Sequence, residues 1–342
     1  MARKNINTHL SIKEIARLAG VGTATVDRIL HGRGGVSSSK VQKVMQALER
    51  DNSKNTDLEK NFKKICLGLV IHSGEMFVET MNAAALKAGE LLKDENIEIK
   101  IHQIAPLDIC SIPNVIRDAG MEHDGLAIIS PEGAEIHDAV DSVVDSGKPV
   151  ITVTTDLPNT KRIGWLGMNS FTAGRTAGYL MNQFLGKQGG EVVIVVGHAF
   201  RCQQEREMGF RSYLREKSPQ LKIREVVDVQ NDQQIAYEKV SIQIRDRGMP
   251  LGFYALSGGN LGISKAIEEF KKNNRPIFIG HELNRITKSL LIEDKLDLVF
   301  DHDSDMEMLF TFRQLSNAIR SEIDESLFIT LPPKVVFREN LS

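Results

Sequence analysis

The chain is poor in the residues that staple, anchor or catalyse: 3 cysteines, 1 tryptophan and 4 tyrosines in 342 residues, with a formal net charge of only −2. Cys66, Cys110 and Cys202 are odd in number, widely separated and outside any metal-ligand spacing. That excludes a disulfide scaffold, gives no metal site, and leads us to expect a reducing compartment. No stretch approaches the ~20 apolar residues of a membrane-spanning helix. Met1 to Asn7 lacks the apolar core of a secretion signal, so the expected location is cytoplasmic, with no membrane contact.

Catalytic signatures are missing as well. His281-Glu282 has no second histidine at the spacing that would place two imidazoles on one helical face. Asp301-His302-Asp303 alternates, so an extended chain cannot aim all three side chains at one metal. There is no Gly-x-Gly-x-x-Gly, no glycine-rich loop ending in Lys-Ser/Thr and no Gly-x-Ser-x-Gly; Gly258-Gly259-Asn260-Leu261-Gly262 has the wrong glycine spacing. No catalytic residue, metal or cofactor is assigned, and the expectation is a protein that is not an enzyme.

What the chain does have is asymmetry. Residues 1–64 hold thirteen Lys and Arg against six Asp and Glu, a balance of +7 that leaves −9 for the remainder. A basic stretch confined to one end is the electrostatic footprint of a nucleic-acid module on a body that should not adhere to DNA. Within it, Ser11 followed by Glu14 has capping-box spacing and starts a helix at Ile12, with Ile15, Ala16 and Ala19 on the same face and Gly20 ending it. Beyond Gly22, Thr23 to Leu30 form a second helix with Val26, Ile29 and Leu30 inward and Thr23, Ala24, Asp27 and Arg28 outward. Ser37 caps a third, whose Val41, Val44, Met45 and Leu48 close a three-helix core. Such a helix-turn-helix presents its second helix to the major groove. Thr23 and Ala24 then touch bases, Arg28 can hold a guanine edge by two bonds, and Thr25, Ser37, Ser38 and Lys40 suit phosphates.

From residue 64 onward, short apolar runs alternate with ten to twenty residues of helical period. Strands are expected at 65–71, 97–104, 125–129, 149–153, 163–166, 192–196, 221–227, 251–256, 277–279 and 296–300. Alternation of this kind means parallel sheets covered on both faces, and about 280 residues exceed one comfortable core, so two doubly wound α/β halves are expected. Ligands in such folds bind beyond the carboxyl ends of the strands. The loops there, 73–77, 130–132, 154–156, 197–206, 257–260, 280–282 and 301–303, are rich in polar and charged groups.

The run IKEIARLAGVGTATVDRILHGRGGVSSSKVQKV resembles the headpiece of the lactose-repressor (LacI) family of bacterial transcription regulators, and the resemblance continues through the rest of the chain. It implies base-reading positions for Thr23, Ala24 and Arg28 and backbone-contacting ones for Thr25, His31 and Ser37. It also implies a body similar to periplasmic sugar-binding proteins. The expected organisation is a headpiece at 1–50, a linker at 51–63 and a body at 64–342. We place chain crossings near 168, 302 and 327, which splits the body into 64–168 with 303–327 and 169–302 with 328–342. The expected partners are a pseudo-palindromic operator, a second copy of the chain, and an effector that is a sugar or polyol. One segment departs from the family: residues 51–62 lack its Pro-Asn pair and Ala-Arg-x-Leu hinge, and Phe62 stands about where the wedging leucine belongs. Either residues 55–62 fold into a short helix with Phe62 between base steps, or the segment is a polar linker and Phe62 packs on the body.

Set against the family pattern, Phe77, Asp156, Arg206, Glu282 and His302 fall on effector-contacting positions and Asn260 lies beside one. Glu282 replaces the usual aspartate and His302 a frequent glutamine. Carboxylates, amides and guanidinium groups suit vicinal hydroxyls, and Phe77 could supply an aromatic face. The residues alone leave other roles open: Glu282 and Asp303 could cap helices, Arg206 could be a surface residue, and Trp165 reads as core. Ala83, Ala84, Ala85 and Ala88 could serve dimer contact or pack on their own sheet. A sensor of a nucleoside or purine, a regulator answering to a corepressor protein, and a solute-binding protein that ignores DNA are the competing readings. Replacing Arg28 with Ala is expected to cost about 1–3 kcal/mol per guanine contact and relax base preference, whereas replacing Lys40 changes mainly the salt slope. Titration of both variants on operator and random duplexes checks this, and equal losses on the two for Arg28 would reject its base-reading role.

Overall fold

The computed structural model describes residues 12–30, 40–41, 43–44, 47, 63–106, 108–197, 200–224, 227–271, 275–321 and 327–341. In the N-terminal unit, α1 (Ile12–Ala19) and α2 (Thr23–Leu30) share a small core of Ile15, Ala16, Ala19 and Val26 with Val44 and Ala47 of a third helical stretch. Gly20 sits at φ +62°, and Val21 N–H then reaches back to the Ala16 carbonyl at 3.0 Å. This is a left-handed helix end that glycine adopts without steric penalty. The turn between the two helices is fixed by that bond, and with it the direction in which α2 leaves.

The body is two sheets, each sandwiched by helices. The first is six-stranded and wholly parallel, in the order β12-β5-β4-β3-β1-β2. Its strands are β1 (Ile65–His72), β2 (Ile97–Ile104), β3 (Gly125–Ile129), β4 (Val150–Val153), β5 (Gly164–Met168) and β12 (Leu327–Leu331). Leu67, Leu69 and Ile71 of β1 face α3 (Glu75–Leu91) and α11 (Ser304–Ile319). Val70 faces the other way, toward α4 (Ile112–Glu122) and α5 (Ala134–Asp145). The period-2 alternation of a strand buried on both faces accounts for the near-continuous apolar run.

The second sheet has seven strands, in the order β13-β11-β10-β9-β6-β7 with β8 also on β6. Its strands are β6 (Gly190–Val196), β7 (Leu221–Ile223), β8 (Val227–Asp228), β9 (Gly252–Ala255), β10 (Ile277–His281), β11 (Leu298–Asp301) and β13 (Lys334–Val336). Only β13 runs antiparallel, along β11. On one face lie α6 (Ser170–Leu185) and α7 (Arg201–Lys217); on the other lie α8 (Gln233–Arg247), α9 (Asn260–Phe270) and α10 (Arg285–Ile292).

The chain passes between the sheets after β5, after β11 and after β12. The first two passes fall beside Met168 and His302. The third lies at Pro332-Pro333, because β12 keeps residues through Leu331 in the first sheet, beyond the expected crossing near 327. The strand expected at 221–227 is divided into β7 and β8, and β12 and β13 add to the expected strands. Ala84, Ala85 and Ala88 of α3 are buried against their own sheet, leaving Ala83 exposed.

Helices α6 and α7 cross where glycines leave no side chain. A methyl on Gly174 would overlap the Arg206 carbonyl oxygen, and one on Gly209 the Phe171 carbonyl oxygen. Both obstructions are backbone, which cannot swing aside. Gly174→Ala is therefore expected to destabilise the body by about 1–3 kcal/mol through overpacking, read as a lower midpoint in urea unfolding; an unchanged midpoint would show that the crossing yields.

Candidate functional site

Two surfaces carry chemistry. On α2 of the N-terminal unit, Thr23, Ala24 and Arg28 are exposed and Thr25 is half-buried, while Val26 is fully enclosed. Lys40 is exposed on the third helical stretch. His31, Ser37 and Phe62, like Ser11, Ser38, Met45 and Leu48, lie outside the described residues, as does the whole segment 51–62 and its two readings.

The second surface is a cleft between the sheets, at the carboxyl ends of their strands. Ser73 and Phe77 follow β1, Ile129 ends β3, and Thr154 and Thr155 follow β4; from the other sheet come Phe200, Cys202, Gln203, Arg206, Ser257 and Glu282. The cavity they enclose is only about 20 Å³, roughly room for one water and far below the roughly 300–1,000 Å³ of ligand sites, so a ligand enters only with the walls parted. The two walls stand close. Cys202 N–H donates across the cleft to Thr155 Oγ1 at 3.4 Å, and exposed pairs bridge the rims, Arg201 to Glu132 at 3.3 Å and Arg285 to Glu79 at 3.8 Å.

Of the expected effector residues, Phe77, Arg206 and Glu282 meet in this space. Arg206 is 3% exposed; one Nη donates to the Leu256 carbonyl at 2.5 Å and Nε has no partner among the described residues. A buried guanidinium with an unused donor is costly unless something accepts from it. Glu282 does not cap the next helix; Asn284 does, with Thr287. Burial raises the Glu282 carboxyl, against the pull of the Arg206 and His302 charges. His302 lies just behind, its ring stacked on Phe77 at 5.7 Å between centroids.

Asp156 and Asn260 are not among the lining residues. The Asp156 carboxylate is occupied by a two-bond fork from Arg162, both at 2.7 Å, and by Thr152 Oγ1 at 2.8 Å. Asn260 is buried and donates Nδ2–H to the Ser257 carbonyl at 3.1 Å, bracing a lining loop. Asp303 caps α11 through Met306 N–H. Trp165 lies on β5 but is only half-buried and joins no core cluster among the described residues, so the core role expected of it is not met.

Residue-by-residue reading of the sequence passed over Phe200, Gln203 and Thr154, although the loops holding them stood out. Phe200 stacks on His72 at 6.4 Å and gives the cleft a second aromatic face. Gln203 accepts from Gly197 N–H at 2.9 Å, tying the loop after β6 to α7. Thr154 sits at φ +60° and Glu282 at φ +70°. For a β-branched residue this is a genuine outlier, and such strain concentrates at ligand sites. No sequence signal marks either position. Cys202 is buried and its thiol is pushed up by that burial, so it reads as an inert wall residue.

Beneath the cleft, Glu307 is wholly buried on the first turn of α11, with Oε2 accepting from Thr154 Oγ1 at 2.8 Å and lying 3.0 Å from His302 Nδ1. Burial alone would lower His302; the Glu307 carboxylate, helped by Asp301 and Glu282, overrides it and raises the imidazole to about 9. A folded value above the unfolded 6.5 means that this contribution to stability is complete below about pH 6.5 and is lost as pH rises through about 9. Denaturant midpoints should therefore fall across that window, and Glu307→Gln should flatten the fall; an identical slope in the variant would remove the pair from the account.

The family model for the lacI family of bacterial regulatory proteins matches residues 11–52, and the model for the periplasmic binding protein domain matches residues 69–320. No curated protein sequence matches the chain. Similar solved structures include a glucose-galactose binding protein from Geobacillus stearothermophilus, 18% identical with TM-score 0.74, covering 82% of this chain and 99% of its own. A solute binding protein of an ABC transporter from Burkholderia graminis in complex with D-arabinose is 20% identical with TM-score 0.76, over 82% of this chain and 98% of its own. One from Bacillus halodurans with bound myo-inositol is 16% identical with TM-score 0.73, over 82% and 97%. All cover the two-sheet body, and at these identities they speak to its fold. With a lacI-family DNA-binding unit ahead of a periplasmic-binding-protein body, the chain belongs to the LacI/GalR family of bacterial transcription regulators.

Proposed function

We propose that the protein is a repressor that binds a pseudo-palindromic operator as a homodimer in the cytoplasm and is controlled by a sugar or polyol held between the two halves of its body. The observation that carries this reading is the cleft itself. Arg206 with an unused Nε–H, the half-buried Glu282 carboxyl, and the Phe77 and Phe200 rings converge there from opposite sheets. Planar hydrogen-bonding groups beside aromatic faces are what a ring of vicinal hydroxyls with an apolar C–H side requires. The ligands named for similar folds, glucose and galactose, D-arabinose and myo-inositol, are all of this class. His302 and Asn260 would act behind the contact layer, and Asp156 through Arg162.

On this reading, ligand draws the walls together and fixes one angle between the halves, and the paired headpieces respond to that angle. The coupling required is about 1–3 kcal/mol. The rim pairs Arg201 to Glu132 and Arg285 to Glu79 join only when the walls are close, but such exposed pairs are worth at most about 1 kcal/mol each, so the ligand must supply most of the bias.

The test is thermal unfolding of the full-length protein against pentoses, hexoses, inositols, sugar phosphates and nucleosides, with operator binding measured by anisotropy in parallel. A true effector at 100 times its Kd adds about 2.7 kcal/mol and changes affinity for a duplex from the chain's own promoter neighbourhood. Arg206→Ala is expected to abolish both responses while leaving operator affinity without ligand intact. Stabilisation by nucleosides alone, or no DNA binding at low salt under any condition, would reject the proposal.

A further inference from the structure

Away from the cleft, at the edge of the first sheet, two histidines and a glutamate bring ligand atoms together. His102 lies on the edge strand β2, paired with Val70 of β1. Glu122 is the last residue of α4 and His123 follows it in extended conformation. Their ring nitrogens and carboxylate oxygen all lie within 4.8 Å of one another. The two Nε2 atoms are 2.8 Å apart, and Glu122 Oε2 is 3.9 Å from His123 Nε2. His123 is 6% exposed and seated on Gly68, where a Cβ would stand 2.7 Å from its Cδ2. The position of the ring is thus fixed by a missing side chain on β1.

We propose that His102, Glu122 and His123 form a site for one divalent transition-metal ion of the zinc class, open at its fourth position. Two imidazoles and a carboxylate are a ligand set that zinc takes, with a water or another ligand completing the tetrahedron. Burial, with Lys100 and, for His123, the His102 charge also opposing protonation, lowers both histidines and so favours the neutral rings that offer lone pairs. Glu122 is held ionised by Lys100. Metal–nitrogen bonds of about 2.0–2.1 Å at tetrahedral angles put the two nitrogens about 3.3 Å apart. The rings must part by roughly half an ångström, and the exposed Glu122 must close in by a similar amount.

The surrounding charges set the competition. Lys100 Nζ occupies Glu122 Oε2 at 2.7 Å, but the pair is more than half exposed and therefore weak. Lys148 Nζ is spent on the carbonyls of Gly120 and Met121. On the same strand face, Glu98 adds negative charge two positions from Lys100. A metal ion has to displace the Lys100 contact and the hydrogen bond between the two Nε2 atoms, whose proton must move to an Nδ1 or to solvent.

Tag-free, full-length protein is titrated with Zn²⁺ and with Co²⁺, and the stoichiometry and the cobalt d–d absorption are recorded. The expected result is one ion per chain, with visible bands in the four- or five-coordinate range and no response to Mg²⁺. His102→Gln and Glu122→Gln, both at accessible positions, should each weaken binding by at least the roughly 10–100-fold that even outer-shell changes cost, and Lys100→Gln should tighten it. Absence of saturable Zn²⁺ binding overturns the proposal, as does binding of unchanged affinity and spectrum in His102→Gln. The effector and operator assays do not enter, so this site stands or falls apart from the function proposed for the cleft.

Discussion

A single enclosed carboxylate governs how the two halves of the body meet. Glu307 has no contact with solvent, yet it sits where the chain has just crossed from the second sheet into α11. An ion in that position is tolerated only if partners replace its lost hydration. They come from two places: Thr154, at the end of β4 in the first sheet, and His302, just past β11 in the second. Removing either partner leaves the buried charge with one hydrogen bond, since Oε1 has no partner among the described residues. The halves are thereby held together at the floor of the cleft as well as at its rim, and Phe77, stacked on His302, carries that anchoring to the cleft wall.

The backbone around this anchor is under tension. Thr154 turns through positive φ so that Thr155 N–H can reach the Val153 carbonyl at 2.6 Å, a tight turn that a threonine adopts only when its surroundings insist. Glu282 does the same opposite it, held by its own N–H to the Phe300 carbonyl and by Thr287 Oγ1 on its carbonyl. Both are pocket walls. The strained residues Thr154 and Glu282 and the incompletely satisfied Arg206 guanidinium fall in one place.

Much of this was legible beforehand, for reasons that differ by element. Strands buried on both faces, such as β1, β6 and β9, announce themselves because their central positions are apolar without a break. β12 and β13 do not: edge strands alternate half-buried and exposed positions, Phe328 is 53% exposed, and Pro332-Pro333 between them suggests a tail. The turn of the N-terminal unit was readable because Gly20 and the apolar spacing agree with each other. In the cleft, loops after strands could be named, but the choice within a loop could not. Asp156 and Arg206 look alike as charged loop residues; what separates them is that Arg162, six residues on in the chain, folds back onto Asp156, whereas no carboxylate among the described residues pairs with Arg206. Likewise, His102 and His123 are unremarkable twenty-one residues apart and meet only because β2 and the end of α4 are brought side by side across β1.

Three separate lengths of polypeptide bridge the halves, at Asn169, at His302-Asp303 and at Pro332-Pro333. One bridge would act as a swivel; three, lying at distinct points, restrict sliding and favour opening about a common hinge. The stiff diproline spans the outermost gap, so it resists stretching more than bending. Whatever parts the halves therefore changes chiefly how far the jaws stand from each other.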